Sequence, residues 1–161
     1  MYPLGVVWQF TRKRLADVLD GLSDAQLRFR PFPTGHSAGE YALHVAGAEC
    51  YWATRLSAGL APSPVADRLE RAVFGGFLAE GPFEFSDEEI TVSSVRDALD
   101  YSGSLIRPII TAPSQEQLAA SLISPIGDPV DGLAGLARLA QHAGYHTGQI
   151  VLLTQHPEFP S

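Results

Sequence analysis

A chain of 161 residues is the size of one ordinary domain and too short for two well-packed ones. Apolar residues make up 45% and charged residues 18%, which supports a full hydrophobic core and excludes wholesale disorder. Eleven Lys and Arg against eighteen Asp and Glu leave a net charge of −7, a balance that argues against nucleic acid as a partner because phosphate binding needs clustered cations. The lone cysteine, Cys50, excludes an internal disulfide and a thiolate metal cluster. Lys13 is the single lysine, so Schiff-base chemistry would fall on the first helical pattern. No apolar run reaches the roughly 18 residues of a membrane span. The stretch Met1–Phe10 lacks a basic lead and meets charge straight after its apolar residues, so it does not read as a signal peptide. A cytoplasmic protein without a membrane partner is expected.

Four segments carry helical periodicity. In the first, Leu4, Trp8, Thr11, Leu15, Val18 and Leu22 recur at steps of three or four. A link with Pro31, Pro33 and Gly35 follows, with room for a short turn at Ser23–Gln26. The second helix opens on the capping-box pattern Ser37-Ala-Gly-Glu40 and runs through Tyr41, Val45, Ala48, Trp52 and Leu56. Residues 60–92 are long and mixed, with a helical stretch from Val65 to Phe74 broken by Gly75-Gly76 and Gly81-Pro82. The third helix starts near Ser93 or Ser94, and Pro108 is expected to kink it or end it early. Residues 112–128 hold a further capping box at Ser114–Gln117. The fourth helix is expected to take Asp128 as N-cap and Pro129 as its first residue, and to stop by Pro157. No strand-like alternation is convincing. The expected fold is all-α, a four-helix bundle with one long crossover between the second and third helices, spanning 1–161 as a single domain.

His142 and His146 stand four residues apart in the fourth helix, so their imidazoles leave one face about a turn apart and can share an ion. His44 lies mid-way along the second helix on a stripe with Tyr41, Ala48 and Tyr51. A bundle brings such inward faces together. Three neutral imidazoles with an open position describe a catalytic metal site rather than a closed structural one. Glu40, one turn before His44, is a candidate general base or an acceptor behind a ligand, besides its capping role. Glu49 reads as a solvated helix residue, Tyr145 as packing, and Cys50 as an inert buried thiol. Gln149 can bond near the metal or to a neighbouring helix. His36 and His156 read as solvated loop histidines.

The run His142-Ala-Gly-Tyr-His146-Thr-Gly-Gln-Ile150 resembles the fourth-helix signature of the DinB/YfiT-like family. The stretch Ser37 to Trp52, with His44 and its aromatic-rich continuation, resembles that family's other motif. The resemblance spans the chain in length and helix order and is strongest at these two motifs. It implies a four-helix bundle that binds a divalent metal through three histidines, which map onto His44, His142 and His146. Relatives include thiol-dependent transferases and isomerases and proteins assigned as metal-dependent hydrolases. The resemblance therefore points to a thiol-dependent S-transferase using zinc, nickel or iron and a small-molecule substrate such as a low-molecular-weight thiol. A hydrolase on the same site, or a non-catalytic metal-binding module, is the alternative. A homodimer is also expected, on the family pattern and on Trp52 and Phe77 read as exposed aromatics. Residues 60–92 are the expected substrate cover.

Overall fold

The computed structural model of the chain describes residues 1–57, 59–79 and 81–161. Four long helices form the bundle: α1 (Pro3–Leu19), α3 (Ala38–Leu56), α5 (Val92–Thr111) and α7 (Gly132–Thr154). Shorter elements connect them: α2 (Asp24–Arg28), α4 (Pro64–Phe74), α6 (Gln115–Ala119) and a hairpin of β1 (Ser121–Ile123) and β2 (Pro129–Asp131). The capping boxes read at Ser37 and Ser114 are formed, and the Ser23 turn is a third, opening α2. No described helix is long and apolar enough to cross a membrane.

The direction of each long helix follows from its contacts. The Tyr2 amide donates to the Thr111 carbonyl, so α1 begins where α5 ends. Thr11 reaches the Ala140 carbonyl, and Leu15 packs in the cluster that holds Ala143 and Ile150, so α1 and α7 run parallel. Gly39 lies against Ile90, just ahead of α5, while Leu56 clusters with Ile109 and Ile110 at the far end. Thus α3 and α5 are also parallel, and the bundle runs up, down, down, up. Consecutive parallel helices cannot be joined by a tight turn. The crossover of residues 57–91 is that requirement made visible, and α4 lies within it against α3. The approach is close enough that a Cβ on Gly47 would strike the Leu69 carbonyl.

Four readings are corrected. The third helix does not stop at Pro108; it continues to Thr111. Only one turn follows the proline, and Ile106, Ile109 and Ile110 are buried around it, each contributing about 1.5–3 kcal/mol, which outweighs the lost bond. Pro129 does not open α7 but lies in β2, paired with Ile123. The turn between the strands is closed by the Ser124 amide on the Asp128 carbonyl, with Gly127 at a φ of +88°. The N-cap is Asp131, whose Oδ1 accepts from the Ala134 amide at 2.7 Å. Trp52 is 3% exposed rather than a surface aromatic.

The fourth correction concerns the core. Glu49 is not solvated but 1% exposed. Its carboxylate accepts from Trp8 Nε1 at 2.8 Å and Ser102 Oγ at 2.6 Å, and pairs with Arg12 Nε at 3.1 Å. One side chain thereby ties α1, α3 and α5 together. Sixteen of the nineteen residues of α3 are buried, because α4 covers the side that the other long helices leave open. Removing the Glu49 carboxylate leaves a guanidinium, an indole N–H and a hydroxyl without their acceptor. We expect Glu49→Ala to cost about 3–5 kcal/mol of stability, read as a shift in the urea midpoint, and a loss below about 1 kcal/mol would show that water replaces the carboxylate.

Candidate metal centre

Each histidine of the sequence triad projects from a long helix into one space. His44 comes from α3, and His142 and His146 come from α7. One ring nitrogen from each lies within 4.8 Å of the other two, an arrangement that could hold a metal ion. His44 and His146 are buried and His142 is half-buried.

Hydrogen bonds set the tautomers. His44 Nδ1 is 3.1 Å from the Ala72 carbonyl of α4. A carbonyl only accepts, so Nδ1 carries the proton and Nε2 keeps its lone pair. His146 Nδ1 is 2.6 Å from Gln149 Oε1, which by the same logic frees its Nε2. The Nε2 atoms of His142 and His146 face each other at 3.0 Å. His142 Nδ1 is buried and has no partner among the described residues. Neutral, inward-pointing nitrogens with two of three rings oriented from behind fit a borderline metal such as zinc, nickel or iron.

The wall around this point is aromatic. Phe77, from the loop after α4, stacks on His44 at 4.0 Å between centroids and 13° between planes. His36 stacks on the other face of Phe77 at 3.7 Å, so it is half-buried rather than a solvated loop residue. Tyr41 lies over His146 at 5.3 Å. The expected cover in residues 60–92 therefore reaches the histidines through Phe77, and Ala72 of the same segment orients His44.

The DinB superfamily model matches residues 8–150, which include all three histidines. The chain belongs to the DinB superfamily. A DinB-like protein from Bacillus cereus superposes with a TM-score of 0.66 at 15% identity, covering 100% of this chain and 99% of its own. A conserved protein from Enterococcus faecalis superposes with a TM-score of 0.68 at 18% identity, covering 95% of each chain. These likenesses establish the fold. No curated protein matches the chain.

In this DinB-superfamily chain the other sequence candidates separate clearly. Glu40 is buried, and its carboxylate accepts from the Ser37 amide at 2.7 Å and from Arg30 Nε at 2.9 Å, with Arg30 Nη2 at 2.9 Å from its second oxygen. Arg30 goes on to Asp87 at 2.7 Å. Gln149, left open by the sequence, is the acceptor behind His146. Tyr145 is 61% exposed and meets His146 only edge-on, so it is not core packing. Next to the site histidines on α7, Gly144 has Thr11 of α1 against it, whereas Gly148 is open. His156 is half-buried beside Phe29 and Phe32 rather than solvated. Cys50 is buried, and burial pushes its thiol up to about 12, so it is inert as expected. Phe77 and the Ala72 carbonyl were not legible as site residues, because nothing local in the sequence marks them.

Burial lowers all three site histidines, taking His44 to about 3 and His146 to about 4; His146 depresses His44 and His142 further, and His36 depresses His146. In the metal-free fold they are therefore neutral where the unfolded chain, titrating near 6.5, is protonated. The unfolded state binds the extra protons below that value. Stability from this source is complete above about pH 6.5 and is lost as the pH falls toward about 4. The urea midpoint of chelator-treated protein should drop across that window, and drop less in His44→Asn. A midpoint flat across it would contradict neutral, buried rings.

Proposed function

We propose that the chain is a divalent-metal-dependent enzyme in which His44, His142 and His146 are the ligands and a low-molecular-weight thiol is transferred to an electrophile. The observation that carries this reading is the convergence of three neutral imidazole nitrogens in a buried, aromatic-walled space. A divalent ion held there would lower the pKa of a thiol or water that it binds, giving a nucleophile at neutral pH.

The chain's own residues supply position and exclusion. The Ala72 carbonyl and Gln149 Oε1 hold two rings with their Nε2 lone pairs inward. Phe77 and Tyr41 cover ring faces and keep water from them. Glu40 is committed to Ser37 and Arg30, and we assign it to fixing the start of α3, one turn from His44, rather than to taking a proton. That commitment favours thiol transfer over hydrolysis. A thiol ionises near 8.5 and needs little help at neutral pH, whereas water depends far more on a base. The resemblance of both histidine motifs to a family containing thiol-dependent transferases supports the same choice. The reading treats residues 1–161 as one cytoplasmic domain acting on a small molecule, without nucleic acid or membrane. With Trp52 buried, the homodimer keeps as support the exposed Val6, Val7 and Phe10 of α1.

Elemental analysis after incubation with zinc, nickel or iron should find close to one ion per chain. His146→Ala should abolish that retention while helicity persists, since apolar burial of about 25 cal/mol per Å² supplies the folding energy. Gln149→Leu should weaken retention by about 10–100-fold. In an assay of several thiols with an electrophile, S-conjugate formation should follow metal content. Absence of retained metal would sink the site, whereas retained metal with equal rates in loaded and chelated protein would leave a non-catalytic module.

A further inference from the structure

A sizeable groove lies away from the histidines. Of about 690 Å³, it runs between α1 and α5, and none of its lining residues comes from α3 or α7. Its volume is in the range of small-molecule sites. From Trp8 to Leu19 it follows twelve residues of α1, about 16 Å of helix.

The seam is open because a polar side chain, not an apolar one, spans it. Arg12 crosses from α1 with Nε on Glu49 and donates from Nη2 to the Leu99 carbonyl of α5 at 2.6 Å. Gly103 makes room for this: a Cβ there would stand 3.2 Å from Arg12 Nη2. The guanidinium so held forms part of the groove's floor, with Nη1 not engaged by any described residue.

The charges around it are unusual for this chain. Carboxylates outnumber cations eighteen to eleven, and eight of the eleven cations pair with a carboxylate. Among the described residues the three without such a partner are Arg14, Arg96 and Arg107, and the last two line this groove. Arg107 instead lies over the Trp8 ring, 5.3 Å from its centroid. It stands one turn from Gly103, beside Arg12. At the other end the lining is Leu19 and Val92 with Asp20 on the rim; Asp100 follows Leu99 part-way along, and Asp17 is engaged by Lys13.

We propose that the groove between α1 and α5 is a binding site for a small organic anion, with its carboxylate or phosphate head between Arg107 and Arg12 and its apolar body extended toward Leu19 and Val92. The polarity of the groove sets this direction, since Asp20 repels an anionic head from the far end. Arg96 offsets Asp100 along the body. The site is independent of the metal reading, because it shares no side chain with the histidine cluster.

Trp8 under Arg107 is a built-in reporter. Titrating the full chain with octanoate should give a saturable change in tryptophan fluorescence. Acetate and inorganic phosphate, which offer the head without the body, should bind more weakly, and octylamine, with the same body and the opposite charge, should not compete. Arg107→Glu changes an exposed side chain and should weaken octanoate by at least about tenfold, the worth of one charge-assisted contact. Arg138→Glu, outside the groove, should leave it unchanged. No saturable response to octanoate, an equal affinity in Arg107→Glu, or competition by octylamine would each overturn the proposal.

Discussion

A helix buried on every face leaves its polar side chains no solvent to fall back on. Three such groups on α3, Glu40, His44 and Glu49, must each find partners inside the fold. Glu40 closes its own N-terminus and draws Arg30 in from the link after α2. His44 reaches the Ala72 carbonyl of the crossover helix. Glu49 gathers the indole of Trp8, the hydroxyl of Ser102 and the guanidinium of Arg12. The helices α1, α4 and α5 are thus each fixed to α3 by a polar contact whose loss would strand a buried group. Packing alone would tolerate a slip of one turn; these contacts do not.

The same constraint explains why the crossover matters to the site. Because α3 and α5 run parallel, the chain must travel back along the bundle between them, and the cheapest cover for the outer face of α3 is the chain making that journey. Gly47, with no Cβ to strike the Leu69 carbonyl, lets α4 lie close. Once α4 is there, its carbonyl at Ala72 meets His44, and the loop that leaves it carries Phe77 onto the imidazole face. Gly76, at a φ of +76°, is part of the bend that turns the chain there. A topological necessity has become part of the candidate centre.

What the residues disclosed in advance follows this logic. The triad was legible because two of its members are locked together by helical spacing and the third lies on an inward stripe, so any bundle must bring them near. The capping boxes were legible because they are purely local. Glu49 was misread because a lone charged residue defaults to solvent, yet its surroundings carried a signal: Ala46, Gly47, Ala48, Cys50 and Ala53 leave α3 no polar face, the mark of a helix enclosed on all sides. The hairpin and the shifted N-cap of α7 were hidden because Asp128-Pro129 and Asp131-Gly132 both have start-of-helix chemistry, and only pairing across β1 decides between them. Of the two outcomes expected at Pro108, the early end failed because the penalty is local while the three isoleucines that outweigh it act through tertiary contact.

The two polar features of the core divide along the bundle in a way that bears on chemistry. At the histidines, burial strips charge from every ring, and the surrounding side chains, Phe77, Tyr41 and His36, bring no fixed charge to the opening. A site of that kind rewards a neutral ligand that becomes anionic only once inside, because a fixed anion would have to shed its water before meeting any compensating charge. At Arg12 the opposite holds: the fold sets the buried Glu49 carboxylate against a half-buried guanidinium. From the groove side the guanidinium edge, Arg96 and Arg107 share the lining with Asp17, Asp20 and Asp100. An acidic chain can therefore keep two arginines without a carboxylate partner among the described residues in one groove, apart from a histidine cluster that carries no charge.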